Sequence, residues 1–113
     1  MRHKLILKYI LDIESIVEEV EIVRSTFNED FNKFETDIIS QRAIERQLSI
    51  IGEAMNKMKK IDQDIEITGV KHIIGLRNLI IHSYDAIEPE MLWSIIHRDI
   101  PVLKKEISNL KSK

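Results

Sequence analysis

An all-α bundle of four main helices is what this sequence predicts, and three observations predict it. Apolar residues recur at three-four spacing over long stretches, the mark of helix faces turned toward a core. No segment shows the strict alternation of a half-buried strand. The 113 residues include only three Gly and two Pro, which leaves few residues to make turns. With 43% apolar and 32% charged residues, the composition suits a globular helical chain better than a disordered one. The length suits one domain, residues 1–113. A chain of this size buries roughly two-thirds of its unfolded surface, so it folds alone but gains from pairing with a second copy.

The first helix is expected from about His3 to Phe27, with Ile6, Tyr9, Ile10, Ile13, Ile16, Val17, Val20 and Val23 along one face. Its opposite face carries Asp12, Glu14, Glu18, Glu19 and Glu21, read as a solvated surface. Asn28-Glu29-Asp30 breaks the pattern, with Asn28 as the expected cap of a short turn that buries Phe31 and Phe34. A second long helix is expected from about Asp37 to Lys60. It has two adjacent apolar stripes, Ile39, Ala43, Ile50 and Ala54 in one and Ile44, Leu48, Ile51, Met55 and Met58 in the other. So wide a face fits either a central helix or one shared between the core and a partner subunit, with Gly52 allowing a neighbouring helix close approach.

After a polar stretch from Asp62 to Ile67, Thr68 reads as the cap of a third helix holding Val70, Ile73, Ile74, Ile80 and Ile81 and ending near His82. Pro89 suits the first turn of a fourth helix carrying Met91, Leu92, Ile95, Ile96, Leu103, Ile107 and Leu110. Pro101 falls inside that pattern, removes one helical hydrogen bond, and should kink the helix or split it. No glycine-rich phosphate loop, internal repeat or low-complexity tract is present.

Charge and composition narrow the function classes. The formal net charge of −2 argues against a generic, electrostatically driven nucleic-acid binder. Residues 9–37 hold nine acids against Arg24 and Lys33, a net of −7 that leaves the rest at +5, so a local cationic groove is compatible with the total. With no cysteine there is neither a disulfide framework nor a thiolate metal site, and a cytoplasmic location is the default expectation. Lys8, Asp12 and Glu14 interrupt the first apolar stretch before a signal-peptide core or membrane span could form. His3, His72 and His97 lack metal-ligand spacing with any acidic partner, so no metal site is expected. Trp93, Met55 and Met58 read as core, and Lys57, Lys59, Lys60, Lys104, Lys105, Lys111 and Lys113 as solvated surface, with Lys57 to Lys60 able to touch phosphate groups.

The informative stretch is Gly75-Leu76-Arg77-Asn78-Leu79-Ile80-Ile81-His82-Ser83-Tyr84, where four polar types interrupt an apolar helix near its end. On a regular helix, at about 100° per residue, Arg77 and His82 lie about 140° apart and flank one edge. Spacing alone is met equally by structural roles: His82 favoured by a helix C-terminus, Arg77 bound to an acid, Tyr84 packed with its hydroxyl satisfied.

Arg77-Asn78-…-His82-Ser83-Tyr84 resembles the Arg-x4-His-x-Tyr motif of HepT-like proteins, within the wider HEPN group of helical domains. Ile44 to Ala54 is similar to that family's second-helix signature, and Gly75-Leu76-Arg77-Asn78 to its approach to the catalytic helix. Leu92-Trp93 and Asp99-Ile100-Pro101 resemble its last helix with the internal proline. Many relatives carry a tryptophan just before the third helix, where this chain has Ile67-Thr68-Gly69.

The resemblance implies a HEPN-like, two-fold dimeric toxin ribonuclease, an endoribonuclease that cleaves RNA without a metal by attack of a ribose 2′-hydroxyl on the adjacent phosphate. Arg77 and His82 would be the catalytic pair, contributed by both subunits to a shared cleft, with Asn78 supporting the phosphate or backbone. Tyr84 would lie at the cleft mouth with an accessible hydroxyl. A partner antitoxin of the minimal nucleotidyltransferase type would transfer AMP to it, so ATP and Mg²⁺ belong to that partner and the chain itself needs no cofactor. Two other readings compete: a non-catalytic nucleotide-binding adaptor that pairs with a nucleotidyltransferase, and a purely structural helical dimer.

Overall fold

The computed structural model describes residues 2–68, 72–75 and 87–112. The helices are α1 (Arg2–Ser25), α2 (Phe31–Glu35), α3 (Ile38–Ile61), α4 (Pro89–Ser94) and α5 (Ile100–Ser112), with a π-helical turn, Ile95–Asp99, joining the last two. The all-α expectation is borne out, and there is no strand among the described residues. Of the expected third helix, the single turn His72–Gly75 is described; Val70, Ile80, Ile81 and its end near His82 lie outside the described residues.

All eight apolar positions named on α1 face inward: Ile10, Ile13, Val17 and Val20 are buried, and Ile6, Tyr9, Ile16 and Val23 pack against the same core. From α3 the stripe Ile44, Leu48, Ile51, Met55 and Met58 meets them, and Leu92, Ile95, Ile96, Ile100, Leu103 and Ile107 close the third side. Each such side chain gains roughly 1.5–3 kcal/mol by leaving water, so this three-sided seam is the main stabilising feature of the fold.

The corner between α1 and α3 is built differently from the expectation. Asn28 does not cap: it and Glu29 take left-handed backbone conformations, φ 52° and 63°, and turn the chain. Asparagine tolerates that region well. Asp30 is the cap instead, its carboxylate accepting from the Asn32 amide at 3.0 Å. Asp37 caps α3 by accepting from the Ser40 amide at 3.0 Å, so α3 starts one residue after the expected boundary. Gln41, only 5% exposed, donates to the carbonyls of Phe34 and Glu35, both at 2.9 Å, and so satisfies acceptors that the end of α2 would otherwise leave orphaned. Phe34 is fully buried as expected, in an aromatic cluster with Phe27 and Trp93.

Pro101 does not split the last helix. The Ile100 amide donates to the Ile95 carbonyl five residues back, and the helix runs on through the proline after one widened turn. That turn lies where a regular helix would press the proline ring against the carbonyl four residues earlier.

The acidic face of α1 is less solvated than expected. Glu14 pairs with Lys111 at 3.0 Å and Glu21 with Lys104 at 2.9 Å, which zips α1 to α5 outside the core and takes both lysines out of the freely solvated class. No helix among the described residues is long and apolar enough to cross a membrane.

Candidate functional site

Arg77, Asn78, His82 and Tyr84, the four site residues read from the sequence, lie outside the described residues, and with them the expected orientation of the Tyr84 hydroxyl. The structure describes the frame on either side. Upstream, the turn His72–Gly75 seats Ile73 fully in the core, with Ile74 packed against it. Downstream, Ile87 packs on the same core and Pro89 opens α4, its missing amide costing nothing in a first turn. Ile73 and Ile74 on one side of positions 76–86 and Ile87 on the other thus join one apolar core.

Polar contacts from the last helix fix the upstream anchor. The Thr68 amide and hydroxyl donate to the Glu106 carboxylate at 3.0 and 3.2 Å, a tie between the expected cap residue and α5. His72 Nδ1 lies 3.2 Å from Asp99 Oδ1. Asp99 is the last residue of the π turn, so the irregularity beside Pro101 sets the carboxylate that meets His72.

The same turn places His97. Its Nδ1 is 2.9 Å from the Trp93 carbonyl, its Nε2 is 3.1 Å from Glu29, and its ring lies 4.2 Å from the Trp93 ring. Trp93 is therefore half-buried in an aromatic cluster rather than wholly in the core. Sequence reasoning misses both histidine–carboxylate pairs because the partners are 27 and 68 residues apart, and helical spacing carries no signal at that range. Each is a pair only: among the described residues no three His, Cys, Asp or Glu converge.

With the frame established, comparison with known proteins decides the assignment. The family model described as Ribonuclease HepT-like matches residues 6–110, which takes in the whole frame and the motif between its anchors. The chain belongs to the HepT-like ribonuclease family. It is 33% identical over 88 residues to a Methanocaldococcus jannaschii protein named "Putative RNase MJ1380", covering 77% of this chain and 81% of that one. To the "Probable ribonuclease HepT" of Thermococcus cleftensis it is 31% identical over 104 residues, covering 88% of this chain and 92% of the relative. A "Putative RNase" of Caldanaerobacter subterraneus subsp. tengcongensis is 30% identical over 103 residues, with 89% and 92% covered. No solved structure matches.

This HepT-like chain is thus a ribonuclease by family and enzyme class, as the sequence reading expected, and its helices agree with an all-α HEPN-like fold. RNA is the substrate class that the family description carries.

Proposed function

We propose that this HepT-like ribonuclease is the toxin of a toxin–antitoxin pair, an endoribonuclease that acts as a cytoplasmic homodimer. The observation that carries the reading is the family match over residues 6–110, which runs through Arg77-x4-His82-x-Tyr84. The residues suit the chemistry. Histidine as a residue type is suited to proton transfer, and His82 takes the proton of the ribose 2′-hydroxyl as that oxygen bonds to phosphorus. Arg77 holds the non-bridging oxygens while negative charge gathers on them, and Asn78 steadies the phosphate or the backbone beside it. The bond from phosphorus to the 5′ oxygen breaks, that oxygen takes a proton, and a cyclic phosphate remains on the upstream strand.

One histidine cannot stand on both sides of phosphorus. A two-fold dimer brings a second His82, so one ring removes the proton and the other delivers one to the leaving oxygen. Tyr84 is the control point, where a minimal nucleotidyltransferase antitoxin adds AMP from ATP with its own Mg²⁺. Each added nucleotide brings bulk and negative charge to the RNA entrance.

The test is cleavage of a labelled RNA with chemical identification of its ends. Cyclic phosphate ends from the parent, absent from both Arg77→Ala and His82→Ala, are expected. Cleavage that survives either change would reassign the catalytic pair. Intact mass after incubation with ATP, Mg²⁺ and the cognate transferase should rise by AMP increments in the parent and not in Tyr84→Phe.

A further inference from the structure

Between α1 and α3 lies a groove of about 300 Å³ lined by Lys8, Tyr9, Asp12, Ser15, Ile16, Ile50, Glu53, Ala54 and Lys57. Its centre is aromatic and its rim carries two lysines and two acids: Lys8 Nζ lies 5.0 Å and Lys57 Nζ 6.0 Å from the centroid of the Tyr9 ring, over its face. Each ammonium also holds a carboxylate one helical turn away, Lys8 to Asp12 at 2.8 Å and Lys57 to Glu53 at 3.3 Å. We propose that this groove is a nucleotide subsite, taking one unpaired nucleotide of an RNA strand with its base on the Tyr9 ring and its phosphates between Lys8 and Lys57.

Several features select that chemistry. The groove is at the small end of ligand clefts, which run to about 300–1,000 Å³, and so admits one nucleotide rather than a helix or duplex. Two ammoniums over the ring already fill the place a cationic ligand would take, and the charged rim disfavours an apolar peptide. Both ion pairs are about half exposed and therefore weak, which lets the lysines swing onto a phosphate at little cost. The released Asp12 and Glu53 carboxylates can then accept from ribose hydroxyls or base amino groups. Stacking on one ring is tolerant of base identity, so this subsite would hold RNA without choosing its sequence. A separate hollow lined by Asn56, Lys59, Lys60 and Gln63 has lysines without an aromatic ring and offers a control for charge alone.

The ligand class rests on the ribonuclease reading, but the test does not, because it reads binding to an uncleavable strand. A fluorescent 2′-O-methyl oligonucleotide is titrated with the full chain and followed by anisotropy. Tyr9→Ala should weaken binding about tenfold and Tyr9→Phe by less than about twofold, since the phenyl ring still stacks. Lys8→Gln with Lys57→Gln should weaken binding and flatten its salt dependence by more than Lys59→Gln with Lys60→Gln does.

Parent-like binding by Tyr9→Ala overturns the proposal, as does failure of the parent to bind. AMP that displaces the oligonucleotide at equal concentration would give the groove to a free nucleotide, and a lowered sedimentation coefficient in Tyr9→Ala would give it to a second copy of the chain. Should Tyr9→Ala lose its helical circular dichroism, the double lysine variant at exposed positions decides alone, and unchanged affinity there sinks the idea. A parent that binds the strand but cleaves no RNA would strike the ribonuclease reading and leave this subsite standing.

Discussion

Along α3, Ile44, Leu48, Ile51, Met55 and Met58 are sealed inside the protein, whereas in the neighbouring stripe Ile39 is 82% exposed and Ile50 37%. The two stripes have the same chemistry and nearly the same spacing. Their fates differ because α1, α2 and α4 pack against α3, so a stripe rotated by a fraction of a turn falls at the rim of the seam. The second stripe is itself divided. Its C-terminal members Ile50 and Ala54 wall the Tyr9 groove, while Ile39, with the half-buried Ala43, opens outward near the helix start. The contrast teaches that apolar width on a helix reports how many surfaces it serves, and that only the assembled neighbours say which stripe serves which.

That division can be broken at its strongest point. Ile51 has no exposure, so Ile51→Glu places an unpaired charge in the core and should cost more than about 4 kcal/mol, enough to unfold much of the population. Urea unfolding followed by circular dichroism reads this directly. The residue is therefore a probe of the core and not of a subunit interface, two roles that the width of the apolar face left open.

Gln41 sharpens the contrast as the polar member of the buried side. Gln41→Ala leaves the Phe34 and Glu35 carbonyls without their donor and should destabilise by about 1–3 kcal/mol. The same unfolding measurement would show a shift below about 0.5 kcal/mol if water replaced the amide. On the open stripe, Ile39→Glu should leave the stability of one subunit unchanged within about 0.5 kcal/mol. If this end of α3 meets a second copy, as the dimer expectation holds, the sedimentation coefficient should fall. A fall would place the interface there, and an unchanged value would move it elsewhere. The smallest effect belongs to the seam on the other side of α1, where Lys104→Gln removes an exposed ion pair with Glu21. About 0–1 kcal/mol is expected, vanishing in 1 M salt.

The legible parts of this molecule are the local ones. The core face of α1, the approximate start of α3 and the proline start of α4 all follow from residues within a turn or two of one another. Asn28 was the misleading signal: asparagine is favoured both as a cap and in left-handed turns, and the choice between Asn28 and Asp30 depends on where Phe31 and Phe34 can be buried. The links from Thr68 to Glu106, His72 to Asp99 and His97 to Glu29 join residues far apart in the chain, so no periodicity announces them. Arg77, Asn78, His82 and Tyr84 were legible as a motif through family resemblance, since their types and spacing alone fit structural roles as well.

The widened turn at Ile95–Asp99 also decides how the last helix responds to changes in length. It accommodates one residue more than a regular turn, and the phase of α5 is set after that extra residue has been absorbed. Removing a residue within the turn would let it relax to ordinary winding while Leu92 before it and Leu103 and Ile107 after it kept their common side. Its toll would fall on the placement of His97 and Asp99. Removing a residue beyond the turn, at Lys105 for example, has no such slack to consume. Everything downstream would rotate by about 100°, taking Ile107 off the core and Lys111 away from Glu14. Length is thus negotiable at one place in this helix and rigid elsewhere, and insertions or deletions among related chains should collect there.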